Sequence, residues 1–438
     1  VTLGLFNIIA VLIVISSLFG YINFRFIKLP PVIGVMTVSL LVSIGLIIVG
    51  QFGLDLAREG VFLLQNIDFN KALMVWMLGF LLFAGALQIE INALLDQKWN
   101  VLIFSTLGVA LSTVFIGTMM YFALGWIGLD MNYIYCLLFG ALISPTDPIA
   151  VLDLLKRAGA PKEIEASIAG ESLFNDGMGV LIFSIIYGII AGEHAASTGS
   201  ISLLFAEEAL GGAILGLVLG AFVFWLLKSV DNYRVEIMLT LGLVTGGYAL
   251  ASSLETSGPI AMVVAGLVIG NQGKKYAMSD KTRERLTLFW ELIDEILNSV
   301  LFVLIGMELL AITFKAEYVF AGIAAIPIAL ISRYASLALP FYTLRLRGLP
   351  KGALKIMTWG GLRGGIAVAL ALAIPQGHER NIILTLTYIV AAFSIIIQSL
   401  TMNFVATSKV LHAIHFEMIS QRFRGHRKKD DSSQGGDE

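Results

Sequence analysis

Runs of about 20 consecutive apolar residues recur along almost the whole chain, and nothing else restricts its fold so tightly. A run of that length crosses the hydrocarbon core of a bilayer as one helix. A soluble domain carries roughly 25% charged residues. Here 57% of the 438 residues are hydrophobic, only 14% are charged, and mean hydropathy is +0.87. A large soluble helical protein is therefore set aside, and the chain is predicted to be an all-α polytopic membrane protein.

The runs predict about 13 transmembrane helices, at roughly 3–24, 31–50, 71–90, 101–127, 132–154, 164–192, 201–228, 235–253, 258–272, 285–311, 317–343, 352–375 and 380–405. Val1–Phe24 lacks a basic leading segment and a persuasive cleavage site, so it reads as the first span. Gln51–Asn70, with Asp55, Arg58, Glu59 and Asp68, reads as an interfacial connection, and Trp76, Trp99 and Trp126 lie near span ends, as interfacial aromatics do. On this threading 23 of the 29 Lys and Arg fall on one side, among them Arg25, Lys98, Lys162, Lys274, Arg283 and Lys355. Arg58, Lys71, Lys315 and Arg380 fall on the other, and Arg333 and Arg363 lie within spans. Basic loops stay in the cytoplasm. An odd span number, an outside N-terminus and a cytoplasmic C-terminus follow. The single Cys136 rules out an internal disulfide and reads as a small apolar helix residue.

Weak internal similarity relates the two halves. Pro31 opens the second span as Pro259 opens the ninth; Phe83–Leu87 resembles Leu304–Glu308; and Ile149–Val151 matches Ile366–Val368. Each pairing links spans seven apart, and seven is odd, so the repeats run in opposite directions through the membrane. A transmembrane domain over 1–410 is predicted, with a first six-helix repeat about 1–193, a linker helix about 200–228 and an inverted second repeat about 234–406. The tail, 411–438, is basic between His412 and Lys429, where a short helix on the inner membrane surface is expected, and polar and disordered beyond.

Three polar islands interrupt the apolar runs. In the fifth span, Pro145 and Pro148 remove backbone donors and break the helix between Ile143 and Pro148. Such a break frees carbonyl oxygens, including that of Thr146, and sets Asp147 at the start of the next half-helix, where the dipole favours a carboxylate. In the sixth span, Glu171 stacks over Asn175 and Ser172 over Asp176, each pair four residues apart on one side of a helix. In the twelfth, Gly360, Gly361, Gly364 and Gly365 surround Arg363, weakening the helix and allowing close backbone approach. Ionisable groups at membrane depth are expensive and mark function. Arg363 needs a carboxylate, and the fifth and sixth spans supply candidates.

These stretches, SPTDP at 144–148, GESLFNDG at 170–177 and GGLRGG at 360–365, resemble the monovalent cation:proton antiporters that include the bacterial NhaP proteins and the animal sodium/proton exchangers. The resemblance covers nearly the whole membrane region. It implies an NhaA-like antiporter fold in which unwound helices 5 and 12 cross near the midplane, and in which a core domain moves against a dimerisation domain in a homodimer of the bacterial inner membrane. It implies that Asp176 binds cation and proton, that Ser172 and the Thr146 carbonyl are further ligands of the transported Na+, and that Asp147 contributes to the site or fixes its geometry. It implies a buried ion pair of Glu171 with Arg363. Asn175 matches the electroneutral branch, one cation for one proton, where electrogenic relatives carry a second aspartate.

The residue chemistry is compatible. Na+ prefers oxygen ligands, and Asp176, Ser172, Thr146 and water provide them. Burial disfavours a charged carboxylate, so Na+ (or Li+) and H+ compete for Asp176. The site crosses the barrier when loaded with either and crosses poorly when empty. K+/H+ exchange on the same scaffold is the alternative. An intramembrane aspartyl protease would leave Arg363, Glu171 and the repeats without a role, and a channel would predict filter residues from several subunits and no proton dependence. No nucleotide-binding motif is present, so secondary transport without a cofactor is expected, by a protein that is not an enzyme and has no nucleic-acid partner. None of the five His has metal-ligand spacing. Glu291, Asp294 and Glu295, with Asn298 a turn on, either line a cytoplasmic cation funnel, tune the pH response, or form a solvated face balanced by Arg283 and Arg285. Arg333 either snorkels or pairs with a core acid. The glycines of the seventh span (Gly211, Gly212, Gly216, Gly220) allow close packing.

Overall fold

Proline and glycine punctuate a chain that is otherwise helical. The computed structural model describes residues 5–51, 77–148, 151–152, 155, 162–192, 198–310, 315–344, 346 and 351–405. The predicted connection at Gln51–Asn70, Trp76, the basic pair Lys156 and Arg157, and the tail 411–438 lie outside these residues, apart from Gln51.

In order, the helices are α1 (Leu5–Ile22), α2 (Pro31–Gln51), α3 (Leu78–Gln88), α4 (Lys98–Ile127), α5 (Tyr133–Ile143), α6 (Lys162–Ala191) and α7 (Thr198–Lys228). They continue as α8 (Tyr233–Ser253), α9 (Gly258–Val268), α10 (Asp280–Glu308), α11 (Ala316–Thr343), α12 (Lys351–Trp359), α13 (Gly365–Ala373) and α14 (His378–Phe393). α14 runs on through a wide turn at Ser394–Gln398 to Val405. Among the described residues, seven helices are long and apolar enough to cross a membrane. α5, α12 and α13 are not, because the fifth and twelfth predicted spans are interrupted. α10 is long but carries several charges in its first half.

The turns have local causes. Asn23, buried after α1, donates to Leu29 O (2.9 Å) and accepts from Leu29 N (3.1 Å), ordering the approach to Pro31. Asn132, Asn232, Ser257 and Ser279 cap α5, α8, α9 and α10 with side-chain oxygens, satisfying amides that a helix start leaves open. Outward faces are apolar, as lipid requires: on α7, Leu210, Ile214, Leu217, Phe222 and Trp225 are exposed, and Trp99 and Trp126 at the ends of α4 are exposed too.

The glycine stripe of α7 packs within the chain. A Cβ at Gly216 would stand 2.3 Å from Ala261 O, so α9 lies directly against it. α2 is joined to α10 by Ser39 and Ser43, whose hydroxyls donate to Val303 O and Gly306 O (both 2.8 Å). Trp290 of α10 is fully buried against Phe80 and Phe83 of α3 and donates to Thr240 Oγ1 of α8 (3.1 Å). α6 is central, in contact with α3, α4, α5, α7, α9 and α13. Phe139, Ile143, Phe183, Leu301, Leu370 and Leu386 belong to one apolar core that holds α5, α6, α10, α13 and α14 together.

Candidate functional site

Two interrupted helices meet beside the middle of α6. α5 stops at Ile143, ahead of Pro145 and Pro148, and α12 and α13 are separated at Gly360–Gly364. The unwound segments cross as an isolated antiparallel bridge, in which Asp147 N donates to Leu362 O (2.8 Å). Backbone polar groups at membrane depth need partners inside the protein, and this bridge supplies one pair. Small residues permit the approach. A Cβ at Gly364 would lie 3.0 Å from the Asp147 side chain, and Gly361 faces Thr146 and Arg333. The ring of Pro145 seats on α6 at Gly179, where a Cβ would come within 2.1 Å of it.

α6 stitches itself to the break with its polar residues. Asn175 is fully buried: its Oδ1 accepts from Thr146 N (3.2 Å), and its Nδ2 donates to Thr146 Oγ1 and Glu171 Oε1 (both 2.8 Å). Ser172 Oγ donates to Thr146 O. An amide suits this position because it donates and accepts at once without titrating.

The expected ion pair of Glu171 with Arg363 is not the one formed. Glu171 is held by Arg333 of α11, with Nη1 on Oε1 (2.8 Å) and Nη2 on Oε2 (2.7 Å), both side chains almost wholly buried. Such a bidentate pair is among the stronger charge-assisted contacts. Arg363 instead donates through Nη1 to Ser144 O (2.6 Å) and Pro145 O (3.0 Å), and its own amide donates to Ser394 Oγ (2.8 Å). The reason is local. Arg363 sits on the crossing itself, where the end of α5 has left carbonyls without helical donors, while Arg333 approaches Glu171 from the α11 side.

Asp176 stands apart from this network. It is half-buried and makes no hydrogen bond or ion pair among the described residues. With Ser172, Asp147, Pro145, Pro148 and Gly364 it lines a cavity of about 500 Å³. Asp294 and Asn298 of α10 line the same cavity, whereas Glu291 and Glu295 are exposed on other faces of that helix. Of the two balancing arginines expected there, Arg283 pairs with Asp280 (3.3 Å) and donates to Lys274 O (2.9 Å), and Arg285 lies over the Tyr233 ring (4.3 Å). The cavity extends to Gln88 at the end of α3, to Glu90 and Ala93 after it, and to Glu165 near the start of α6. Those residues adjoin Lys98 and Lys162, so the cavity leads toward the side of the basic loops.

Sequence reasoning thus left Arg333 undecided, and it did not separate Asp294, which lines the cavity, from Glu291 and Glu295, which do not. The available signal for Arg333 was the one that singled out Arg363, a permanent charge inside an apolar span. Ser394 gave no signal, since a lone serine in an apolar helix is common.

A sequence model of the family described as sodium/hydrogen exchanger, transmembrane, matches residues 13–407. The chain belongs to the sodium/hydrogen exchanger family. This exchanger is 48% identical to the Na+/H+ antiporter NhaP of Pseudomonas aeruginosa over 91% of the chain and 95% of that protein. It is 36% identical to the Na+/H+ antiporter NhaH of Halobacillus dabanensis over 83% of the chain and 89% of that protein. Its fold is similar to that of the sodium proton antiporter MjNhaP1 from Methanocaldococcus jannaschii, with a TM-score of 0.73 at 19% identity over 93% of the chain and 99% of that structure.

Proposed function

We propose that this exchanger is a secondary Na+/H+ antiporter, not an enzyme, in which Na+ (or Li+) and H+ compete for the Asp176 carboxylate. One observation carries the reading: Asp176 faces the cavity while the other polar groups of its stretch are engaged. Asn175 is taken up by Thr146 and Glu171, and Glu171 by Arg333. The Asp176 carboxylate is therefore left available to a proton or a cation. Ser172 Oγ and the Thr146 carbonyl, which are hydrogen-bonded to each other, are the oxygens a hard cation recruits beside it. Potassium/proton exchange finds no support among the relatives named above, which are Na+/H+ antiporters. The protease and channel readings have no counterpart in the family.

Coupling needs only that one carboxylate holds one ion at a time. The occupied site is neutral with either ion and moves; the vacant site carries a charge into a low-dielectric barrier and does not. Asn175 brings no second proton, so exchange is electroneutral, one for one. Arg333–Glu171 and Arg363 keep the crossing rigid through the cycle. About 13 helices in inverted repeats, an N-terminus outside, a cytoplasmic C-terminus, a homodimer and the bacterial inner membrane complete the proposal. The cavity then faces the cytoplasm. In vesicles with an imposed pH gradient, added Na+ collapses the gradient and Asp176→Asn abolishes the effect; full exchange by Asp176→Asn would sink the assignment.

A further inference from the structure

The cavity that reaches Asp176 has a second carboxylate on its opposite wall. Asp294 and Asn298 lie one helical turn apart on α10 and share the face turned into the cavity. The next residue on that face, Leu301, packs on the broken helix, where a Cβ at Gly365 would stand 2.1 Å from Leu301 Cδ2. α10 is thus docked against the crossing at Leu301, and Asp294 lies seven residues before that contact, ~10 Å along the axis toward the basic-loop side at 1.5 Å per residue. Glu165 lies eleven residues before Asp176 on α6, ~16 Å nearer the mouth by the same measure. An ion entering from that side meets Glu165 and Glu90 at the mouth, then Asp294, then Asp176.

The wall charge has one sign. Among the described residues, Glu90, Asp147, Glu165, Asp176 and Asp294 line the cavity, and no Lys, Arg or His does. Of the described cations near it, Lys274 Nζ donates to Leu87 O (3.0 Å), Arg283 is held by Asp280 and donates to Lys274 O, and Lys98 lies over the Trp99 ring (5.9 Å). A cleft lined by one sign of charge between low-dielectric walls concentrates the opposite ion. Asn298 adds an amide oxygen next to Asp294, giving a hard monovalent cation two oxygen ligands before it reaches the crossing.

We propose that Asp294, with Asn298, is an accessory docking position for Na+ on the cytoplasmic path, which holds the incoming cation before Asp176 takes it. This rests on the assignment of Asp176 above. It makes a side-specific demand, because only ions arriving through this cavity pass Asp294. The test is Na+ uptake into inside-out and right-side-out vesicles for the wild type, Asp294→Asn, and Glu295→Gln, which removes a charge of the same sign from an exposed face of the same helix.

Asp294→Asn is expected to raise the KM for Na+ about 5-fold when Na+ is presented on the basic-loop side, a modest loss of electrostatic focusing. KM from the opposite side, maximal rate and the Glu295→Gln values should stay at wild-type levels, and Asp294→Glu should restore KM. An unchanged KM for Asp294→Asn on the basic-loop side overturns the proposal. So does an equal rise from both sides, which would mean damage to the Asp176 site, and so does an equal effect of Glu295→Gln, which would mean general surface charge. Absence of Na+-driven exchange in the wild type would instead contradict the assignment of Asp176.

Discussion

At the scale of single residues, burial decides who pairs with whom. Glu171 and Arg333 are both nearly solvent-free, so removing one partner strands the other. Arg333→Met should cost about 3–5 kcal/mol, read as a lowered thermal midpoint of the purified protein. Adding Glu171→Gln should recover much of the loss, since no bare charge then remains. The proposed competition at Asp176 makes a separate prediction about pH. A proton excludes Na+, so acidification should raise the KM for Na+, approaching a ~10-fold rise per pH unit when one carboxylate is the shared site. The rate should fall again at alkaline pH, where protons become scarce. Initial rates across a pH series check both limbs. The polar stretch from Glu171 to Asp176 was legible in the sequence because lipid gives such groups no packing role. The choice between Arg333 and Arg363 was not legible: each is a single arginine in an apolar span, and the partner is fixed by which helix approaches Glu171, 162 residues away in the case of Arg333.

At the scale of elements, the interruptions organise the molecule. Pro145 and Pro148 ended α5 where their chemistry required, and the glycines around Arg363 separated α12 from α13, so both breaks were readable in advance. The bridge of Asp147 to Leu362 was not readable, because it depends on how two distant segments are brought together. The same holds for α10, whose acids occupy several faces; the contact of Leu301 with Gly365 turns Asp294 inward and leaves Glu291 and Glu295 outside. The seat of the Pro145 ring on α6 gives a direct test. Gly179→Ala forces its methyl into that ring and should lower stability by about 1–3 kcal/mol and depress exchange. Gly45→Ala on α2, where an added Cβ meets nothing within 4 Å, should be neutral or slightly stabilising. Thermal unfolding of the two variants side by side reads the difference. Gly216→Ala should likewise weaken the fold of a single protomer, since the α7 stripe packs on α9 of the same chain.

At the scale of the whole molecule, helices that face lipid with apolar side chains surround one polar crossing, and a cavity joins that crossing to the basic-loop side. Composition and the distribution of Lys and Arg made the membrane class legible, and the three polar islands made the family legible. The side on which the cavity opens was not, since it depends on how the helices are packed in this conformation. On the proposed reading, with Asn175 neutral and one carboxylate shared, each cycle moves one Na+ against one H+ and no net charge. The measurement that tests this most directly is Na+-driven collapse of a pH gradient in vesicles clamped at several membrane potentials, for the wild type and Asp176→Asn. The account predicts wild-type rates that do not change with potential and no Na+-driven proton flux in the variant; exchange that persists without the Asp176 carboxylate, or a rate that follows the potential, would contradict it.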